Sequence, residues 1–124
     1  MSLLKTPIFL ENSKIPVILS KFTPIEIWAI TLGPIVLCRG ELSEKTKRHE
    51  TIHYRQYLET LFIGFIIIYL FDFLYAVFIA KKGFSRESYL AIRFEQEAHH
   101  CDDFENYLDE RVAFSWKNYP LGGD

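Results

Sequence analysis

The sequence predicts an α+β fold: a small antiparallel sheet of two or three strands, then a helix bearing His49, Glu50 and His53, a hydrophobic helical segment, and a glutamate-bearing helix. Three observations predict it. Short runs rich in β-branched residues occupy the first 40 positions, with the turn Leu32-Gly33-Pro34 between two of them. His49 and His53 stand four apart behind Ser43, a favoured helix-capping residue. The apolar run 61–80 is then followed by a segment in which Glu95 and His99 are again four apart. At 124 residues the chain is read as one domain, 1–124.

Taken in order, residues 1–14 read as an irregular lead-in, because Pro7 and Asn12-Ser13 break any pattern. Ile15–Ser20 (IPVILS) reads as a short β-rich run. Residues 25–31 (IEIWAIT) read as a better strand, with Ile25, Ile27 and Ala29 alternating with Glu26, Trp28 and Ile30. Residues 35–39 (IVLCR) pair back on it as a hairpin, closed by Gly40. The bland role of this sheet is core-building; the functional one is an edge that takes an extended peptide by strand addition. Ser43, with Glu44 in the first turn, opens the next helix, whose flanks Lys45, Lys47, Arg48 and Arg55 read as solvated.

Residues 61–80 (LFIGFIIIYLFDFLYAVFIA) carry one charge, Asp72, and a largely apolar run of twenty residues is long enough for a membrane span. A single crossing would place His53 and Glu95 on opposite sides of the bilayer. The expectation is therefore a chain that turns back, with Gly64 and Asp72 as the bends and Lys81-Lys82-Gly83 as the exit. The surplus of Phe, Ile and Tyr points to membrane contact or a partner through residues 61–80. Ser85 to Ser88 is a second cap region, before a helix carrying Phe94, Glu95, Glu97, Ala98, His99 and His100. Tyr107, Leu108, Phe114, Trp116 and Tyr119 are expected to cover the sheet or the helices, and residues 122–124 to fray.

Composition excludes some classes. Net charge is -2, from 14 basic and 16 acidic residues, which leaves no nucleic-acid footprint. Cys38 and Cys101 form no disulfide framework and read as buried small hydrophobes in a reducing compartment. The first ten residues show no secretory signal, so the expected location is cytoplasmic, with membrane association through 61–80.

The chemistry lies in the histidines. Two imidazoles four apart on a helix share a face and can grip one Zn²⁺ at about 2.0–2.1 Å, leaving room for a third protein ligand and a water. Glu50 stands beside the first ligand, within reach of that water's proton. So short a pattern also arises by chance, which makes the second cluster important. His99 and His100, the remaining two histidines, fall beside Glu95 and Glu97.

The segments HETIHYRQYLE and RFEQEAHH together resemble the gluzincin metallopeptidases, in which two histidines of HExxH and a glutamate from a later helix hold the zinc. Phe94-Glu95-Gln96-Glu97-Ala98 looks like the FExxA(D) and ExEA(D) segments of membrane-embedded CAAX prenyl proteases and antibiotic-sensing peptidases. Size and element order look closest to the minigluzincins, and the longer pattern resembles small bacterial proteins classed as peptidases. The resemblance implies a single zincin-like metallopeptidase domain. Its zinc ligands would be His49, His53 and Glu95, its catalytic base Glu50, and its substrate a peptide or protein. One departure stands out: the clan's aspartate after the alanine is His99 here, and Asp102, nearly one turn on, is the substitute that would orient a ligand histidine. The clan stabilises the oxyanion with a His or Tyr, for which His99, His100, Tyr54 and Arg111 are candidates.

Two other readings compete. Glu50-xx-His53 and Glu97-xx-His100 are both ExxH, the spacing of carboxylate-bridged di-iron bundles, with Glu59 and Asp72 as the remaining carboxylates. Alternatively the chain is a non-catalytic, membrane-associated zinc protein whose fourth ligand is His99 or Cys101.

Overall fold

Three short strands, β1 (Ile8–Leu10), β2 (Ala29–Leu32) and β3 (Ile35–Cys38), form a sheet in the order β1-β3-β2. The computed structural model of the chain describes residues 7–23, 27, 29–32 and 34–123. The fold is α+β, with the sheet preceding the helices. β2 and β3 form the expected antiparallel pair, with Ile30 opposite Leu37 and Thr31 opposite Val36. The expected alternation at Ile25, Glu26 and Trp28 lies outside the described residues, as do Gly33 of the turn, residues 1–6 of the lead-in and Asp124.

Two expectations for the first 20 residues are corrected. The lead-in contributes β1, which pairs parallel with β3, Phe9 opposite Val36, so the sheet is mixed rather than antiparallel. The free edge of β3 rewards any extended segment that reaches it, whatever that segment's own pattern. Residues 15–20 form helix α1 (Ile15–Ser20), not a strand. Pro16 decides this: its fixed φ suits a first helical turn, and it has no N–H to give a ladder. Ser20 Oγ donates back to Pro16 O at 2.8 Å and accepts from Ile27 N–H at 2.7 Å.

Helix α2 (Glu44–Glu59) starts at Ser43, whose hydroxyl accepts from Thr46 N–H at 3.2 Å. The chain then bends by 111° into α3 (Ile63–Leu74), which continues as a π-helical turn, Tyr75–Ile79. The bend is not at Gly64 or Asp72. It is a tight turn at Leu61 and Phe62, with φ of 57° and 63°, in which Ile63 N–H reaches Leu61 O at 2.7 Å. Such a γ-turn with positive φ is strained for a phenylalanine and persists because Tyr57 O also accepts Phe62 N–H at 2.8 Å. Gly64 instead lets Thr60 close over it, since a Cβ there would stand 3.1 Å from Thr60 Cβ. Asp72 lies fully buried within α3, accepting from Arg93 N, Nε and Nη2 at 2.9–3.0 Å. Among the described residues no single helix is long and apolar enough to cross a membrane.

The return is made by α4 (Arg86–Leu90), capped by Ser85, and α5 (Arg93–Cys101). The expected single helix is thus two, broken at extended Ile92. Residues α6 (Tyr107–Glu110) and a 3₁₀ turn (Ser115–Asn118) close the chain over the helices, not over the sheet. Trp116 packs against Phe94, whereas Tyr107 and Leu108 cover Ile52, Ala98 and Cys101. Cys38 and Cys101 are free and buried.

One aromatic column fixes the three site-bearing helices. Tyr57 (α2) stacks on Phe65 (α3) at 3.8 Å, Phe65 on Phe94 (α5) at 4.4 Å, and Phe94 meets Trp116 edge-on at 4.7 Å. Each such pair contributes about 0.5–1.5 kcal/mol beyond its buried area. Tyr57 also donates its hydroxyl to Thr31 O at 2.9 Å, tying the column to β2.

Candidate metal centre

The face of α2 that carries His49 and His53 packs against α5, and the ring centroids lie 4.9 Å apart. Glu95, in the first turn of α5, is the point on which they converge. Its Oε1 lies 3.3 Å from His49 Nε2 and 3.0 Å from His53 Nε2. His99, four residues along α5, places its Nε2 3.6 Å from the same oxygen. Ligand atoms of His49, Glu95 and His99 all fall within 4.8 Å of one another. That trio leaves out His53, whose Nε2 nonetheless lies 3.0 Å from the shared Glu95 oxygen. Tetrahedral zinc ligands at 2.0–2.2 Å stand about 3.3 Å apart, close to the distance of each imidazole from Glu95 Oε1. Imidazole nitrogen and carboxylate oxygen are also donors that suit zinc.

The other ring nitrogens are held. His49 Nδ1 faces Asp102 Oδ2 at 3.0 Å, and His53 Nδ1 faces Gln56 Oε1 at 2.7 Å. With a cation bound, such acceptors would keep the proton on Nδ1 and leave Nε2 as the ligand atom; without one, Nε2 faces the Glu95 carboxylate instead. Gln56 is itself anchored, donating through Nε2 to Phe94 O at 3.1 Å and Glu97 Oε1 at 3.0 Å. Tyr69 donates to Glu95 Oε2 at 2.7 Å, which orients that carboxylate from α3. Thr31 Oγ1 donates to Glu50 Oε2 at 2.6 Å, so the sheet positions the candidate base.

Burial is the largest influence on each titrating group here, and the partners decide the outcome. It opposes charge on His49, yet hydrogen bonds to Asp102 and Glu95 outweigh it and raise the pKa to about 10. His53 is raised in the same way, by the charge and hydrogen bond of Glu95. Burial would push Glu95 up, but His53 and His49 hold it well below the usual carboxylate range. Glu50 is raised, because burial exceeds the opposing effect of both histidines and Thr31. Burial lowers His99, against the opposing charge of Glu95.

All these groups open into one cavity of ≈ 780 Å³. Its lining includes His49, Glu50, His53, Glu95, His99 and Asp102, β2 residues Ala29 to Leu32, and Phe65, Ile66, Tyr69 and Leu70 of α3. β2 is an edge strand of the described sheet.

The fold does not bring every candidate to this place. Among the lining residues, His100, Tyr54 and Arg111 are absent. His100 Nδ1 faces Tyr119 OH at 2.9 Å on the exposed side of α5, because a residue next to His99 points about 100° away from it. Tyr54 is buried next to His53 for the same reason. Arg111 is a buried clamp: it donates to Glu97 Oε2 at 2.6 Å and to both oxygens of Glu59 at 2.7 and 2.9 Å. The di-iron arrangement is likewise not assembled, since Glu97 and Glu59 serve Arg111, Asp72 serves Arg93, and His100 faces outward. Cys101 Sγ lies near His100 and Tyr119, not at the histidine cluster.

Sequence reasoning missed four members: Thr31, Gln56, Tyr69 and Tyr89. Gln56 left one signal, its i+3 spacing from His53 on the same helix. The others come from distant elements and left none. Compared with protein-family models, with curated proteins and with solved structures, the chain matches none.

Proposed function

We propose that the chain is a zinc-dependent peptidase, with His49, His53 and Glu95 as metal ligands and Glu50 as the catalytic base. The convergence of two Nδ1-anchored imidazoles on Glu95 Oε1 carries this reading. When bound, zinc would polarise a scissile carbonyl and acidify a water. The chain's own residues would do the rest. Glu50 takes the water's proton and returns it to the leaving amine; burial raises its pKa, which makes it the stronger base. Thr31 holds one oxygen of Glu50, so the other can face the cavity. The edge strand β2 would align an extended peptide along the wall beside the base. Of the oxyanion candidates, His99 lines the cavity, and Tyr89 joins it there.

We also propose that the chain works at a membrane surface on the cytoplasmic side. Ile63, Ile66, Ile67, Leu70, Phe71 and Leu74 are exposed at helical spacing along one face of α3. The one charge of residues 61–80, Asp72, is buried and paired, so this face presents none. Exposed Lys81 and Arg86 follow it, which suits anionic headgroups.

The test is metal content with turnover. Wild type should bind one zinc per chain and hydrolyse a peptide library. Glu50→Gln should keep the zinc and lose hydrolysis, and Glu95→Ala should lose zinc. Full activity in Glu50→Gln, or full zinc in Glu95→Ala, overturns the assignment. Zinc with no hydrolysis in the wild type would instead favour a structural role.

A further inference from the structure

Zinc with three protein ligands keeps a fourth position, and a side chain already stands beside it. His99 Nε2 is 3.6 Å from Glu95 Oε1, and its ring meets that of His49 edge-on at 4.5 Å. Being one turn from Glu95 on α5, it comes within reach of any cation that Glu95 and His49 hold. His99 nonetheless differs from the other two imidazoles. Their side chains are 10% and 6% exposed, and each is anchored through Nδ1; that of His99 is 39% exposed and lines the same cavity. Its Nε2 faces the Tyr89 hydroxyl at 3.3 Å.

We propose that His99 is a displaceable fourth ligand: its Nε2 already faces the Tyr89 hydroxyl, 3.6 Å from Glu95 Oε1, and a small ring movement from there closes the metal centre in the resting chain, reversed when an incoming carbonyl or other ligand takes the position. This rests on the zinc reading of His49, His53 and Glu95. A ligand ring without an anchoring acceptor, and partly in water, exchanges more readily than its anchored neighbours. After it leaves, the Tyr89 O–H donates to the freed Nε2 and holds the position open. The centre is thereby self-inhibited by its own helix, and ligands enter by competing with one imidazole.

The test loads the full chain with Co²⁺, whose visible absorption reports coordination number and donor set, in wild type, His99→Ala, His99→Gln and His49→Ala. The expected wild-type spectrum is that of a four-coordinate site. His99→Ala should keep cobalt with a shifted spectrum and an affinity lower by roughly 10–100-fold. Acetohydroxamate, which needs open positions, should bind His99→Ala more tightly than wild type by a similar factor, and Tyr89→Phe less tightly. His99→Gln, which keeps a polar side chain at the surface, guards against misfolding of the alanine variant and should follow it. Unchanged spectra and unchanged hydroxamate binding in both His99 variants, with full cobalt uptake, overturn the proposal and leave the three-ligand site standing. No specific cobalt uptake, with wild type no better than His49→Ala, overturns both.

Discussion

Each candidate ligand histidine does two jobs, one per ring nitrogen. Nδ1–H of His49 donates a hydrogen bond to Asp102 Oδ2, which turns Nε2 toward Glu95. Asp102→Ala should therefore lower zinc affinity by roughly 10–100-fold, read by competition with a chromophoric chelator; unchanged affinity would mean that packing alone orients His49. Thr31 acts on Glu50 in the same indirect way. Its hydroxyl stabilises the charged carboxylate, against burial, which raises the pKa. Thr31→Val removes that donor, so the Glu50 pKa should rise further. On the proposed mechanism the base works deprotonated, so the acidic limb of the kcat/KM profile should move to higher pH, with zinc content unchanged. A limb that stays put, or moves to lower pH, would contradict this role.

At the scale of elements, two devices hold α2, α3 and α5 around the cavity. One is the column Tyr57–Phe65–Phe94–Trp116; the other is Arg111, which ties α6 to Glu59 of α2 and Glu97 of α5. Glu97 is fully buried, and its carboxyl stays below the usual range: burial acts against ionisation, but Arg111, Tyr107 and Gln56 prevail. Arg111→Met should strand that charge and cost about 3–5 kcal/mol, measured by urea unfolding. Pairing it with Glu97→Gln should recover much of the loss, because the buried charge is then gone. A loss under about 1 kcal/mol would show Arg111 to be no more than a surface contact.

For the whole molecule, the exposed face of α3 is the feature that a buried core does not explain. Isoleucine is among the residues most often fully buried in a core; here Ile63 is 71% exposed and Ile67 62%. The chain should co-sediment with vesicles containing anionic lipid, and less with purely zwitterionic ones. Ile67→Asp with Phe71→Asp should lower vesicle binding several-fold while leaving metal content intact, since neither side chain touches the histidine cluster or lines the cavity. Equal vesicle binding by the double variant would remove α3 from the membrane reading.

The sequence alone determined what depends on short spacing. The i, i+4 geometry of a helix puts His49 beside His53 and Glu95 beside His99; Ser43 starts α2 through a local cap, and two β-rich runs close together in the chain pair as β2 and β3. Asp102 was legible as the partner of a ligand because it is about one turn from His99. Only the tertiary structure decided what depends on long loops. That Gln56 bridges His53 to Glu97, that Tyr69 grips Glu95, and that Arg111 is a clamp follow from packing between elements 26 to 52 residues apart. The turn at Leu61 and Phe62 was hidden for a related reason: positive φ there is unfavourable locally and is imposed by the aromatic column that draws Phe65 under Tyr57.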